Sequence, residues 1–97
     1  MILALPVTGR KAQELVKTGA MLIDVRSPVS FRDGSIPGAV NMSIRQLSLL
    51  NREPKNKKLI FFGESSTDET LKAAVNYASQ YGFTNIYCLN SKDEWNK

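Results

Sequence analysis

Along the chain, unbroken apolar runs alternate with stretches whose apolar residues recur every three or four positions. Met21-Leu22-Ile23-Asp24-Val25 is a continuous apolar run that takes in one charge, the pattern of a strand buried on both faces of a sheet. Residues 59–62 repeat that pattern, residues 85–89 give a last strand, and residues 40–42 make a brief extended piece. Helical patterns lie between them. Thr8 is placed as the N-cap of residues 9–18, whose Ala12, Leu15 and Val16 form an apolar stripe and whose stop is Gly19. Ser27-Pro28 opens a short helix through Phe31, because a capping Ser is followed by Pro at the first helical position. Ile36-Pro37-Gly38-Ala39 reads as a turn, and Ser43 caps a helix carrying Ile44, Leu47 and Leu50. Residues 68–81 form the longest helix, with Leu71, Ala74, Val75 and Ala78 on one face and Gly82 at its end. Asp93-Glu94-Trp95 starts one more helical piece just before Lys97.

Strands alternating with helices predict an α/β domain built on a mostly parallel central sheet with right-handed crossovers. No repeat or linker interrupts the pattern, so residues 1–97 read as one domain, near the small end of the range in which a single core suffices. The helix start at Asp93 leaves open a domain shortened at its C-terminus. An apolar content of 42% excludes a disordered chain. No run approaches the roughly 20 apolar residues that span a bilayer. Met1-Ile2-Leu3-Ala4-Leu5 has no basic region before it and is broken by Pro6, which makes it a poor signal peptide. The single Cys88 excludes an internal disulfide and fits a reducing compartment, so a cytoplasmic location is expected.

The net charge of +4 adds one feature. Arg52, Lys55, Lys57 and Lys58 cluster before the Leu59 strand, interrupted by Glu53 and Pro54. Such a loop can meet an acidic partner or nucleic acid. The preferred reading is a solvated turn, since no aromatic residues interleave along it for base stacking. Neither a nucleic acid nor a membrane is expected as a partner.

The most informative segment runs Leu59-Ile60-Phe61-Phe62-Gly63-Glu64-Ser65-Ser66-Thr67-Asp68-Glu69-Thr70. A strand feeds a short polar loop that opens a helix, where backbone N–H groups and the helix dipole favour negative charge. In many folds with this layout a nucleophilic Cys begins the loop and an Arg closes it. Here Gly63 and Asp68 stand near those places, and Glu64 adds a second negative charge. Asp24 and Arg26, at the carboxyl end of an inner strand, are placed to line a pocket or to fasten the strand end. Cys88 is a displaced nucleophile or a small packed hydrophobe. The chain holds no His to act as its base, and the nearest cation in sequence is Lys92.

Several motifs carry a resemblance to a known family. Leu22-Ile23-Asp24-Val25-Arg26-Ser27-Pro28, then Phe31, then Gly34-Ser35-Ile36-Pro37-Gly38-Ala39-Val40-Asn41 resembles the signature of rhodanese-like domains. Gly82-Phe83-Thr84-Asn85-Ile86-Tyr87 with Leu89 is similar to the family's last strand, and Trp95 to the aromatic residue after it. The likeness covers about residues 14–95. It implies a rhodanese-like α/β fold with a central, mostly parallel sheet of five strands and helices on both faces. It also implies a sulfurtransferase site on the loop after the Leu59 strand. In active members a Cys there accepts a sulfane sulfur as a persulfide, held by backbone N–H groups and a nearby Arg; a thiolate at a helix N-terminus has the lowered pKa this needs.

The Cys position falls on Gly63, or on Glu64 if the loop aligns one residue later, and neither forms a persulfide. Glu64, Asp68 and Glu69 stand where basic residues are usual. Against the thiosulfate dianion, each like charge at close range costs on the order of 1 kcal/mol or more. Ser65, Ser66 and Thr67 retain hydroxyl donors. The resemblance therefore implies a catalytically inactive domain that binds through Gly63, Glu64, Ser65, Ser66, Thr67 and Asp68. A protein partner presenting basic residues is expected, with a small anion as second choice and no cofactor. Two alternatives stand beside it: an atypical sulfurtransferase using Cys88, or a fragment of a larger sulfurtransferase. Phosphatases that share this fold fit less well, since they need the same loop Cys and Arg.

Overall fold

The computed structural model describes residues 4–64, 69–89 and 92–96. In chain order these are β1 (Leu5–Pro6), α1 (Gly9–Lys17), β2 (Met21–Asp24), α2 (Pro28–Asp33), β3 (Val40–Asn41), a 3-10 helix (Ile44–Arg52), β4 (Leu59–Phe62), α3 (Glu69–Gln80), β5 (Ile86–Leu89) and a closing 3-10 helix (Lys92–Asn96). The strands form one five-stranded sheet in the order β1-β5-β4-β2-β3, and every pair is parallel.

β4 is the centre of the sheet, and its four residues are all buried. Alternate side chains point to opposite faces. Leu59 and Phe61 join Ile23, Ile86, Leu47, Leu50, Leu71 and Ala74 on the α3 face. Ile60 and Phe62 join Leu22, Leu89, Ala12 and Leu15 on the α1 face, with Trp95 packed against them. Phe61 and Phe62 are both fully buried, each contributing roughly 1.5–3 kcal/mol by leaving water.

The caps expected at Thr8 and Ser27 form. The Thr8 hydroxyl accepts a hydrogen bond from Lys11 N at 3.2 Å, and Ser27 accepts one from Ser30 N at 3.2 Å. Gly19 adopts φ 104° and Gly82 φ 97°; these left-handed stops end α1 and α3 and turn the chain into β2 and β5.

Two features differ from the sequence reading. β1 lies where the N-terminal stretch gave no strand signal: it has two exposed residues, one of them Pro, and pairs through Leu5 with Tyr87 and Pro6 with Cys88 at the sheet edge. Pro is tolerated there because an edge strand can spare its N–H. The segment after Ser43 winds as a 3-10 helix. Its apolar residues sit three apart, the repeat that aligns them on one face of such a helix; Leu47 and Leu50 are buried there, while Ile44, the first residue of the helix, is 56% exposed.

Candidate functional site

The carboxyl ends of β2 and β4 lie side by side, with Asp24 in register with Phe62 and Val25 N donating to Phe62 O at 3.0 Å, an ordinary ladder bond. This is where open parallel sheets present ligand sites. Asp24 is fully buried, and Arg26 is 8% exposed. The Arg26 guanidinium donates to Asp24 through Nε at 3.0 and 3.1 Å and through Nη2 at 2.8 Å. Arg26 N adds a bond at 2.9 Å and Ser35 Oγ another at 2.8 Å, so the carboxylate is saturated with donors. Asn41 Nδ2 bonds the main-chain oxygens of Asp24 and Arg26 at 3.0 and 2.9 Å, tying the edge strand β3 to the same corner. Hydrogen bonding to Asp24 raises the Arg26 pKa above its ordinary value, with burial opposing. Arg26 stays charged at any working pH.

Arg26 and Glu64 both line a surface pocket of about 390 Å³, and Arg26 Nη1 lies 3.8 Å from Oε1 of Glu64. Ser27, Ser30, Ser43, Ile44 and Thr70 lie on its rim. Arg26 thus lines the pocket, whereas Asp24 lies beneath it and serves to hold Arg26. Gly63 is buried at the end of β4, and Glu64 is exposed beside it. Ser65, Ser66, Thr67 and Asp68 lie outside the described residues. The serines and threonine of the rim were not singled out as site residues by sequence reasoning. Ser27 and Ser43 were legible as helix caps, and caps at the carboxyl end of a parallel sheet are also rim positions.

Cys88 sits on β5 opposite Phe61 of β4. It is half-buried, and burial pushes its thiol pKa up. That is the opposite of the shift a nucleophilic thiolate needs. Among the described residues no group of His, Cys, Asp and Glu is arranged to hold a metal. Nor is any described helix long and apolar enough to cross a membrane.

Residues 8–97 match the model of the family described as the rhodanese-like domain. The chain belongs to the rhodanese-like domain family. It is 31% identical over 84 residues to the thiosulfate sulfurtransferase GlpE of Pseudomonas syringae pv. syringae, a match covering 82% of this chain and 74% of that protein. Among solved structures, the Rhodanese_3-like domain of the Alr3790 protein from Anabaena superposes with a TM-score of 0.70 at 27% identity, covering 80% of this chain and 91% of that one. The single-domain sulfurtransferase RDL2 of Saccharomyces cerevisiae superposes with a TM-score of 0.75 at 24% identity, over 95% of this chain and 88% of the other, and shows the same fold. The rhodanese-like assignment accounts for the parallel five-stranded sheet.

Proposed function

We propose that this rhodanese-like domain is catalytically inactive and acts as a binding or regulatory module through the loop that follows β4. The observation that carries the reading is the Glu64 carboxylate, 3.8 Å from Arg26 Nη1. The pocket-lining guanidinium, which would otherwise attract an anionic sulfur donor, is met by a carboxylate of the chain itself. Glu64 stands at the loop start, where the family resemblance places the persulfide-forming Cys, and neither it nor Gly63 offers a thiol. Cys88 does not replace it in this reading: it faces Phe61, two residues short of the loop, and its thiol is held neutral.

The side chain of Glu64 is 67% exposed, so its charge is presented outward as well as to Arg26. A protein partner offering Lys or Arg is the complement, with the exposed Ile44 as an apolar neighbour. A small anion is the weaker ligand, because Glu64 competes for Arg26. The test is affinity capture and titration of bound proteins with the wild type and with Glu64→Lys. A partner whose binding is weakened at least about tenfold by the reversal, a change of about 1.4 kcal/mol, supports the reading. Partners that bind both forms equally well remove the loop as the interface.

A further inference from the structure

The opposite end of the sheet carries a second surface. Residues 17–20, 52–58 and 81–85 lead into the amino ends of β2, β4 and β5. They are drawn together by Met21 N donating to Lys58 O at 2.9 Å, Leu59 N to Asn85 O at 2.9 Å, and Asn85 Nδ2 to Asn56 O at 3.0 Å. These three segments hold Lys17, Arg52, Lys55, Lys57 and Lys58 against the single acid Glu53. They therefore carry the whole net charge of +4, and the remaining eight basic and eight acidic residues of the chain cancel. Among the described residues, none of the five cations takes part in an ion pair; the salt bridges belong to Arg26 and Lys72.

Aromatic residues that are remote from the basic loop in sequence are folded onto it. The Lys55 ammonium stands 5.0 Å over the ring of Tyr81 and 4.7 Å over that of Phe83. Tyr77 and Tyr81 pack with ring centroids 4.8 Å apart, and Asn51 Nδ2 donates to Tyr81 Oη at 3.3 Å. Lys55 is thus positioned before any partner arrives, which lowers the ordering cost of binding. The same packing decides between kinds of partner. Lys55 stands over Tyr81 and Tyr77 leans against it, while Phe83 is buried. Tyr81 is 45% exposed, but a nucleobase stacking on it would compete with the Lys55 and Tyr77 contacts its ring already makes, which reduces the stacking contribution that non-specific single-strand binding draws on. Ammonium and hydroxyl groups remain, and these suit carboxylates.

We infer that this amino-end face, with Arg52, Lys55, Lys57 and Lys58 beside Tyr81, is a docking surface for an acidic polypeptide segment rich in Asp or Glu. It is independent of the pocket at the carboxyl end and holds whether or not that site is inactive. The experiment titrates a fluorescent peptide of alternating Glu and Gly into the wild type, into Lys55→Glu/Lys58→Glu, and into Arg10→Glu/Lys11→Glu. The last pair makes the same charge change on the exposed start of α1, at the other end of the molecule. A single-stranded oligonucleotide of equal charge is titrated in parallel.

The inference requires peptide binding that weakens as salt rises toward about 0.15 M, where screening shortens to about 8 Å. It also requires a loss of about tenfold or more in the Lys55/Lys58 variant and less than about threefold in the α1 variant. Arg52→Glu/Lys57→Glu repeats the test if circular dichroism shows that the first variant has lost its fold. Absence of peptide binding, equal losses in the two reversals, or tighter binding of the oligonucleotide than of the peptide would each overturn it. So would wild-type self-association abolished by Lys55→Glu/Lys58→Glu, which would make a second copy of this chain the occupant.

Discussion

Arg26 grips Asp24 side-on, with Nε shared between the two carboxylate oxygens and Nη2 on the second, in a pair that is almost wholly removed from water. The same Nη2 reaches Gly34 O at 2.6 Å, so one side chain fastens the end of β2 to the stretch leading toward β3. Replacing a whole buried pair by apolar groups is often neutral, but removing one partner strands the other charge, at about 3–5 kcal/mol. Arg26→Met is accordingly expected to lose about 3–5 kcal/mol of a stability that totals about 5–15 kcal/mol in domains of this kind. Arg26→Lys should recover little of it, because an ammonium cannot make the side-on contact. Urea unfolding midpoints measure both. A loss under about 1 kcal/mol for Arg26→Met would contradict the role given to the pair.

Glu64 should behave in the opposite way. Its pair with Arg26 is long, at 3.8 Å, and the Glu64 side chain is 67% exposed. Exposed pairs contribute about 0–1 kcal/mol. Glu64→Gln is therefore expected to leave the unfolding midpoint within that margin while weakening a basic partner. Stability and binding separate here, and the same pair of measurements shows whether they do.

Gly9 is fixed by packing. A methyl group at Gly9 would collide with the main-chain oxygen of Glu94, in the 3-10 helix that closes the chain against α1. Gly9→Ala is expected to push that helix away and to cost about 1–3 kcal/mol, the usual range for overpacking. Trp95 is the only Trp in the chain and packs on the α1 face of the core, so a red shift in its fluorescence reports the displacement. An unchanged spectrum and midpoint would refute the contact.

Much of this was legible in the residues, and the exceptions have physical causes. β2 and β4 are legible because strands buried on both faces are nearly continuous apolar runs. β1 could not be seen, since its two residues are exposed and its place depends on backbone pairing with β5. The spacing of Ile44, Leu47 and Leu50 shows a helix without fixing its type, and the steps of three suit the tighter winding found. Asp24 and Arg26 were visible as charges at a strand end. Their mutual clasp was not, because it follows from the depth to which Asp24 is buried. In the same way the sequence showed the basic residues 52–58 without aromatic neighbours, and only the fold brought Tyr81 and Phe83 to Lys55.

Cys88 gives a pH-dependent prediction. Burial favours the neutral thiol, so its pKa in the folded chain lies above that in the unfolded chain. A raised thiol pKa means that the folded state holds its proton more tightly. The associated stabilisation is fully present below the unfolded thiol pKa and is lost as pH rises through the folded one. Alkylation by iodoacetamide should therefore set in at higher pH for the native chain than for the urea-unfolded chain. A lower onset in the native chain would mark Cys88 as an activated thiolate.

Sulfur transfer from thiosulfate to cyanide, followed as thiocyanate formed, decides whether the domain is catalytically inactive. In active rhodanese-like domains the transfer goes through a cysteine persulfide, and here Gly63 and Glu64 begin the loop while the only thiol is Cys88, held neutral on β5. The predicted result is thiocyanate no faster than without protein, for the wild type and for Cys88→Ser alike. Turnover by the wild type that disappears in Cys88→Ser would contradict the account and make Cys88 the nucleophile of an atypical sulfurtransferase.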